Sequence, residues 1–231
     1  DPLRLPKLLK DSLQATIKAG FITRVEHLDL PTAPFTAPHT PLNGIISAER
    51  KWNTSIISLD RVKALKNKMG TTINDIILAI CAGALRRYLL EKKMLPKKPL
   101  VAMVPVSTRV NGDHEAGNQL NAMLIQLATH IEDPIERLEK IYANTIQGKT
   151  YQGTAGTGAL NNLAEALPFG IANNAARMYT RFNLAKMHNP VFNVVITNVP
   201  GPQIPIYMYG HRVLHVMGMA PTFDGIGLII T

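Results

Sequence analysis

From Ile76 to Leu85, ten consecutive residues carry no polar side chain. The helix predicted over TTINDIILAICAGALRRYLLEKK therefore has no polar face there and reads as buried, wet only near its Arg86 and Lys92 end. Upstream, SLDRVKALKNKMG places Val62, Leu65 and Met69 on one helical face, with Ser58 or Asp60 as the cap and Gly70 as the stop. KPLVAMVPVSTR and NQLNAMLIQLATH read as strands joined by the polar loop VNGDHEAG. DPIERLEKIYANTIQGK starts a helix with Asp133 as cap and Pro134 at the first helical position. The segment from Gly153 to His188 is Ala- and Asn-rich and reads as mostly helical, with Gly and Pro breaks. VFNVVITNVPGP, Val191 to Pro202, is a strand running into a turn. IPIYMYGHRVLHVMGMAP gives two strand-like runs around Gly210, and GIGLIIT closes the chain as an apolar strand. Helices interspersed with strands, plus hairpin connections late in the chain, predict an α/β sandwich with a mixed sheet.

Residues 1–40 read as a separate lead-in. LPKLLKDSLQATIKAG is one amphipathic helix ending at Gly20, and Asp29 to Pro41, with four prolines in thirteen residues, is an extended connector. The main domain then spans 41–231. Because the chain begins in a Pro- and Lys-rich segment and stops inside an apolar strand, it reads as a piece of something longer, its main domain incomplete at the C-terminus. No internal repeat interrupts this organisation.

Composition narrows the class. The 231 residues are 46% hydrophobic and 18% charged, enough for a folded core. Cys81 is the single cysteine, set in IILAICAGAL, so no disulfide framework exists, a reducing, cytoplasmic compartment fits, and Cys81 reads as a small core residue. No apolar run reaches the ~18–20 residues needed to span a bilayer, and the N-terminus lacks the apolar core of a signal peptide. The net charge of +9 is concentrated. Arg50 to Lys98 holds twelve Lys and Arg against Asp60, Asp75 and Glu91, which reads either as a solvated basic face or as a surface for an anionic partner, phosphate or lipid. Nucleic acid is the weakest candidate: basic residues are not interleaved with aromatics, and no helix-turn-helix, zinc or RNA-binding signature occurs.

The polar groups within apolar segments are the candidate chemistry. Thr72 and Asp75 form a variant capping box, and a first-turn carboxylate suits the helix dipole. Capping leaves Asn74 over, as an amide that must find hydrogen bonds inside the protein. None of the seven histidines has metal-ligand spacing, and no HExxH, CxxC, GxSxG, P-loop or GxGxxG occurs. The nine methionines read as core filling, though soft side chains also suit an alkyl-chain tunnel. In the strand at 191–202, alternation sends Asn193, Val195 and Thr197 to one face and Phe192, Val194, Ile196 and Asn198 to the other. Thr197 is there either as a β-former bonded to neighbouring backbone or as a hydroxyl serving a site at the strand end.

Five blocks in order, PLNG (Pro41 to Gly44), TINDIILAICAGALRRYL, PLVAMVPVSTR, LATHIEDPIERLEKI and FNVVITNVPGP, resemble the C-terminal half of the bacterial bifunctional wax ester synthase/acyl-CoA:diacylglycerol acyltransferase family. The resemblance runs over nearly the whole chain from about Pro41. It implies the CoA-dependent acyltransferase fold, a chloramphenicol acetyltransferase-like sandwich of two similar α/β halves that meet at a tunnel. Acyl-CoA, a substrate rather than a cofactor, enters one side; a fatty alcohol or diacylglycerol enters the other. The family's general base is the second histidine of an HHxxxDG motif in the N-terminal half, and this sequence contains no adjacent histidines. The chain is thus expected to supply the wall of the site opposite the base, with that N-terminal half as its partner, in a cytoplasmic protein held peripherally on anionic membrane or lipid inclusions. Placed on these blocks, Asn74 and Thr197 are the candidate catalytic residues, Thr197 as an oxyanion donor. Pro41, Leu42, Asn43, Gly44, Asp75, Arg109, Asn193, Asn198, Pro200 and Gly201 are the candidate substrate contacts, with no metal. Asn193 is expected to orient the Thr197 hydroxyl and Asn198 to tie the turn to adjacent strands. The rival classes are a non-catalytic lipid- or partner-binding module of the same fold and a CoA-dependent condensation on another type of substrate.

Overall fold

A computed structural model describes residues 32, 34–107, 120–154, 188–202 and 204–231. A 3-10 turn at Pro41–Asn43 opens at Thr40, whose hydroxyl accepts from the Leu42 amide. Helix α1, Leu59–Met69, starts at Ser58, which accepts from the Arg61 amide. It stops at Gly70, whose φ of 65° is the left-handed conformation open to a residue without Cβ. Helix α2, Ile73–Glu91, starts at the reciprocal Thr72–Asp75 box. Helix α3, Pro134–Thr154, starts where Asp133 Oδ1 accepts the Ile135 and Glu136 amides, both at 2.8 Å.

Strands β1 (Val101–Ser107), β2 (Leu120–Gln126), β3 (Val194–Ile196) and β6 (Ile229–Ile230) form one sheet in the order β2-β1-β3-β6. β2 is antiparallel to β1, with Val101 opposite Gln126. β3 runs parallel to β1, and β6 parallel to β3. The mixed α/β sheet of the sequence reading is therefore present. β4 (Tyr207–Met208) and β5 (His211–Arg212) form a separate hairpin. Tyr209 and Gly210, at φ 50° and 80°, supply the two left-handed residues of its tight turn.

The core lies between the sheet and two helices. Leu78, Ala82, Leu85 and Leu89 of α2 and Ile141 of α3 pack with Ala102, Val104, Ile125, Val194 and Ile196 of the strands. α1 rests on the far side, where Val62, Ile76 and Leu138 form a smaller cluster with Met69 against it. Burial holds Cys81 in this core as a thiol, pushing its pKa up to about 11.

Two readings of the helices are corrected. α2 is not buried all round: Ile80 is 41% exposed and Tyr88 45%, because the sheet, α1 and α3 together cover only part of its circumference. Leu65 is exposed too, since the face of α1 that meets α2 is centred on Val62. The Pro-rich stretch is built into the fold at its end, where Ala37 is fully buried. The helix expected before Gly20, the loop after β1 and the segment of 153–188 beyond Thr154, as far as residue 187, lie outside the described residues.

α2 and α3 run antiparallel and are registered at two points. A Cβ on Gly83 would stand 3.1 Å from Arg137 Nη2, so the missing side chain is what admits the guanidinium. Two turns earlier on α2 and two later on α3, the Thr145 hydroxyl donates to Asp75 Oδ1 at 2.7 Å. The turn leading into α3 is held by two arginines. Arg86 Nη1 donates to the Thr129 and His130 carbonyls, and Arg137 Nη1 to those of Ile131 and Glu132. Burial, and after it the charge of Arg86, pulls the Arg137 pKa below its ordinary value, with Asp133 opposing. The one-sided burial of α2 predicts that Leu78→Ala costs about 2–5 kcal/mol in urea denaturation. Ile80→Ala on the open side is expected to change stability by less than about 1 kcal/mol.

Candidate functional site

The asparagine of the opening strand, Asn193, is fully buried and polar. Its Nδ2 donates to the Pro38 carbonyl at 2.7 Å and to Asn43 Oδ1 at 2.8 Å, while its Oδ1 accepts the Val101 amide at 2.9 Å. Asn43 answers with its own amide, donating to the carbonyls of Gly225 at 2.9 Å and Phe192 at 3.1 Å. The Thr40 hydroxyl also donates to Asn43 Oδ1, at 2.8 Å. Both side-chain amides thus place their hydrogens on protein acceptors. Around them, the Gly227 amide donates to the Leu42 carbonyl, the Gly225 amide to that of Gly44, and the Ile46 amide to Asp224 Oδ1. Leu42, Asn43, Gly44 and Asn193 therefore come together as a knot joining residues 38–46, the start of β1, the approach to β3 and residues 224–227. Pro41 opens the turn that carries Asn43.

Thr197 stands past the other end of β3. Its amide donates to the Ile230 carbonyl at 2.9 Å, which continues the ladder. Thr197 as a residue is half-buried, and its hydroxyl makes no hydrogen bond among the described residues. The expectation that Asn193 orients that hydroxyl is overturned, since the Asn193 amide is fully engaged at the opposite end of the strand. Asn198 does not tie the turn to adjacent strands either: it is exposed, as are Pro200 and Gly201, and makes no hydrogen bond among the described residues. Three strand residues with prolines following leave the turn outside the ladder, so the Asn198 side chain stands in water.

Asp75 is completely buried. Its Oδ2 accepts from the Thr72 amide at 2.9 Å and the Thr72 hydroxyl at 2.6 Å, and its Oδ1 accepts from Thr145. The capping box is as read; the link to α3 is an addition that no local pattern announces. Asn74 beside it is half-buried and makes no hydrogen bond among the described residues, which corrects the expectation that its amide is bonded inside the protein. Arg109 lies outside the described residues. Among the described residues no group of three His, Cys, Asp or Glu could hold a metal ion.

Residues 116–231 match the WS/DGAT C-terminal domain, and residues 6–77 match the wax ester synthase/diacylglycerol acyltransferase catalytic domain. The chain belongs to the wax ester synthase/diacylglycerol acyltransferase (WS/DGAT) family. A Mycobacterium tuberculosis protein provisionally named a diacylglycerol O-acyltransferase is 42% identical over 203 residues, covering 87% of this chain and 44% of its own. The Acinetobacter baylyi O-acyltransferase WSD is 37% identical over 199 residues, covering 85% of this chain and 42% of its own. The solved structure of the wax ester synthase/diacylglycerol acyltransferase of Marinobacter aquaeolei aligns with a TM-score of 0.62 at 29% identity, over 94% of this chain and 46% of that one. The chain thus spans less than half the length of these WS/DGAT relatives.

Sequence reasoning missed Thr40 and Thr145. Thr40 caps its turn through partners only two and three residues on, a local signal that went unread, whereas Thr145 meets Asp75 only when the chain folds back, and a threonine inside a helix carries no distinguishing local signal. The knot predicts that Asn193→Ala, which orphans the buried Val101 amide, costs about 3 kcal/mol of stability in chemical denaturation. Thr197→Val, by contrast, is expected to leave the unfolding midpoint within experimental error, since its hydroxyl makes no hydrogen bond among the described residues.

Proposed function

We propose that this chain is the half of a CoA-dependent O-acyltransferase that faces the catalytic base. In the reaction, the hydroxyl of a fatty alcohol or diacylglycerol attacks the thioester carbonyl of a long-chain acyl-CoA. A histidine of the HHxxxDG half takes the hydroxyl proton, the tetrahedral oxyanion collapses, and the C–S bond breaks to give the ester and CoA, whose sulfur receives the proton. The observation that carries this reading is membership of the WS/DGAT family over both its matched domains, in a chain whose sequence has no adjacent histidines. Half-buried Thr197 at the end of β3, whose hydroxyl makes no hydrogen bond among the described residues, supports a role as an oxyanion donor. Asn74 on the first turn of α2, half-buried and with no hydrogen bond from its amide among the described residues, is a second polar group available to substrate. Pro41 to Gly44 and Asn193 bear on the substrate site by fixing the strands that form its wall.

The basic surface supports a peripheral seat on anionic lipid. Arg61, Lys63 and Lys68 of α1 are exposed, alongside Arg50 and Lys51, and no helix among the described residues is long and apolar enough to cross a membrane. Attraction of about 1 kcal/mol per well-placed basic residue makes such binding steeply salt-dependent. Co-sedimentation with anionic liposomes is expected at low ionic strength and to be lost at high. Binding that salt does not change would count against an electrostatic seat.

CoA release from palmitoyl-CoA and a long-chain alcohol tests the reaction. The purified chain is expected to show none, and turnover to appear when it is combined with an N-terminal half of the family that carries HHxxxDG. In that combination Thr197→Val is expected to slow the chemical step about 10²- to 10³-fold and Thr197→Ser to retain most of the rate. Turnover by the chain alone, or a fully active valine variant, overturns the respective assignment. A combination that binds but never turns over leaves the non-catalytic lipid- or partner-binding module standing in its place.

A further inference from the structure

We infer that Thr145 is a positioning residue for this reaction, holding the first turn of α2, and with it Asn74, through the buried carboxylate of Asp75. The inference rests on the functional reading above, because it gives Asn74 work to do.

The capping box is a local device. It satisfies the amides of Thr72 and Asp75 within the turn itself, at 2.9 and 3.3 Å, and would do so wherever the helix lay. What ties the box to another element by a polar contact, among the described residues, is the Thr145 hydroxyl. Thr145 is 1% exposed and Asp75 0%. The hydroxyl has one proton and two acceptors within reach, Asp75 Oδ1 at 2.7 Å and the Tyr142 carbonyl at 2.8 Å, and the carboxylate, the nearer and stronger acceptor, takes it. No salt bridge to Asp75 occurs among the described residues, so the carboxylate depends on hydroxyl and amide donors for its compensation inside the protein. Asn74 gains nothing from the box. Its amide is aimed by the backbone alone, and the backbone of this turn is anchored laterally by Thr145 and by the packing of Ile76 against Leu138 and Val62. Loss of the hydroxyl leaves the apolar packing and removes the directional tie. The turn can then shift while α2 stays folded. Displacements of about 1 Å at a positioning group are enough to cost on the order of 10²-fold in rate.

Thr145→Val keeps the shape and removes the donor; Thr145→Ser keeps the donor. Two readouts decide the inference. In this chain alone, hydrogen exchange of the Thr72, Asp75 and Ile76 amides is expected to accelerate at least about tenfold in the valine variant, with Leu78 to Leu89 unchanged. In the combination with the HHxxxDG half, kcat per folded molecule is expected to fall about 10- to 100-fold with the KM for acyl-CoA within about twofold. Serine is expected to restore both. Unchanged exchange in the valine variant overturns the lock. Faster exchange with normal kcat overturns its link to the reaction and leaves Thr145 purely structural. If valine prevents folding, Thr145→Ala, which also removes the donor, is read in its place, with serine still the variant expected to restore both. A wild-type combination without turnover sinks the functional reading and the kinetic half of this inference with it, whereas exchange still reads the lock.

Discussion

The fold hangs on the mutual recognition of two side-chain amides, Asn43 and Asn193. β3 has only three residues, and its ladder with β1 sets Ala102 against Val194 and Met103 against Val195. Parallel neighbours have no hairpin between them to set their register, and a ladder this short carries little specificity of its own. The asparagines supply both. Asn193 closes the end of the ladder with main chain and side chain together, its amide N–H donating to the Val101 carbonyl and its Oδ1 accepting the Val101 N–H. Asn43 then fastens residues 192 and 225 to the turn after Pro41. Because Asn193 is fully buried, a broken pair would strand polar groups away from water, so the tie is enforced by the cost of leaving it open.

The helical layer follows a similar logic with weaker elements. α2 carries hydrocarbon on nearly every side, and hydrophobicity alone does not say which side meets the sheet. Gly83 and Asp75 make that choice, one by the absence of a side chain where Arg137 lies and the other by a carboxylate that, among the described residues, Thr145 alone meets from outside its own turn. The arginine clamp on the carbonyls of residues 129–132 places α3 in the same arrangement. Two like charges tolerate each other there because four consecutive carbonyl dipoles face them.

These constraints divide the strand. At one end of β3, Asn193 is immobilised by its partners; at the other, Thr197 keeps its backbone in the ladder and its hydroxyl free of it. A group that must meet a developing charge has to be held by bonds other than those it will use. Thr197 meets that condition and Asn193 does not, although the two share a face in the strand pattern.

Much of this was legible in the residues. Ser58, Gly70, Thr72, Asp75, Asp133 and Pro134 bound their helices as read, because caps are local chemistry within a few residues. The strands around Val104, Met123 and Ile196 and the mixed sheet followed from periodicity, and the ordered blocks pointed to the WS/DGAT family. Alternation also put Asn193 and Thr197 on one face. That Asn193 is tied down while Thr197 is not was out of reach, since it depends on Pro38, Asn43 and Val101, up to 155 residues away in sequence. The exposed arc of α2 at Ile80 and Tyr88 was equally hidden: an all-apolar segment has no polar face to orient it, and the side that stays open is set by where α1, α3 and the sheet come to rest. Sequence determined the elements and their ends, through interactions a few residues long. Tertiary structure decided which polar groups are consumed in holding those elements together and which are not, because a buried hydrogen bond has its meaning only from the partner that folding brings to it.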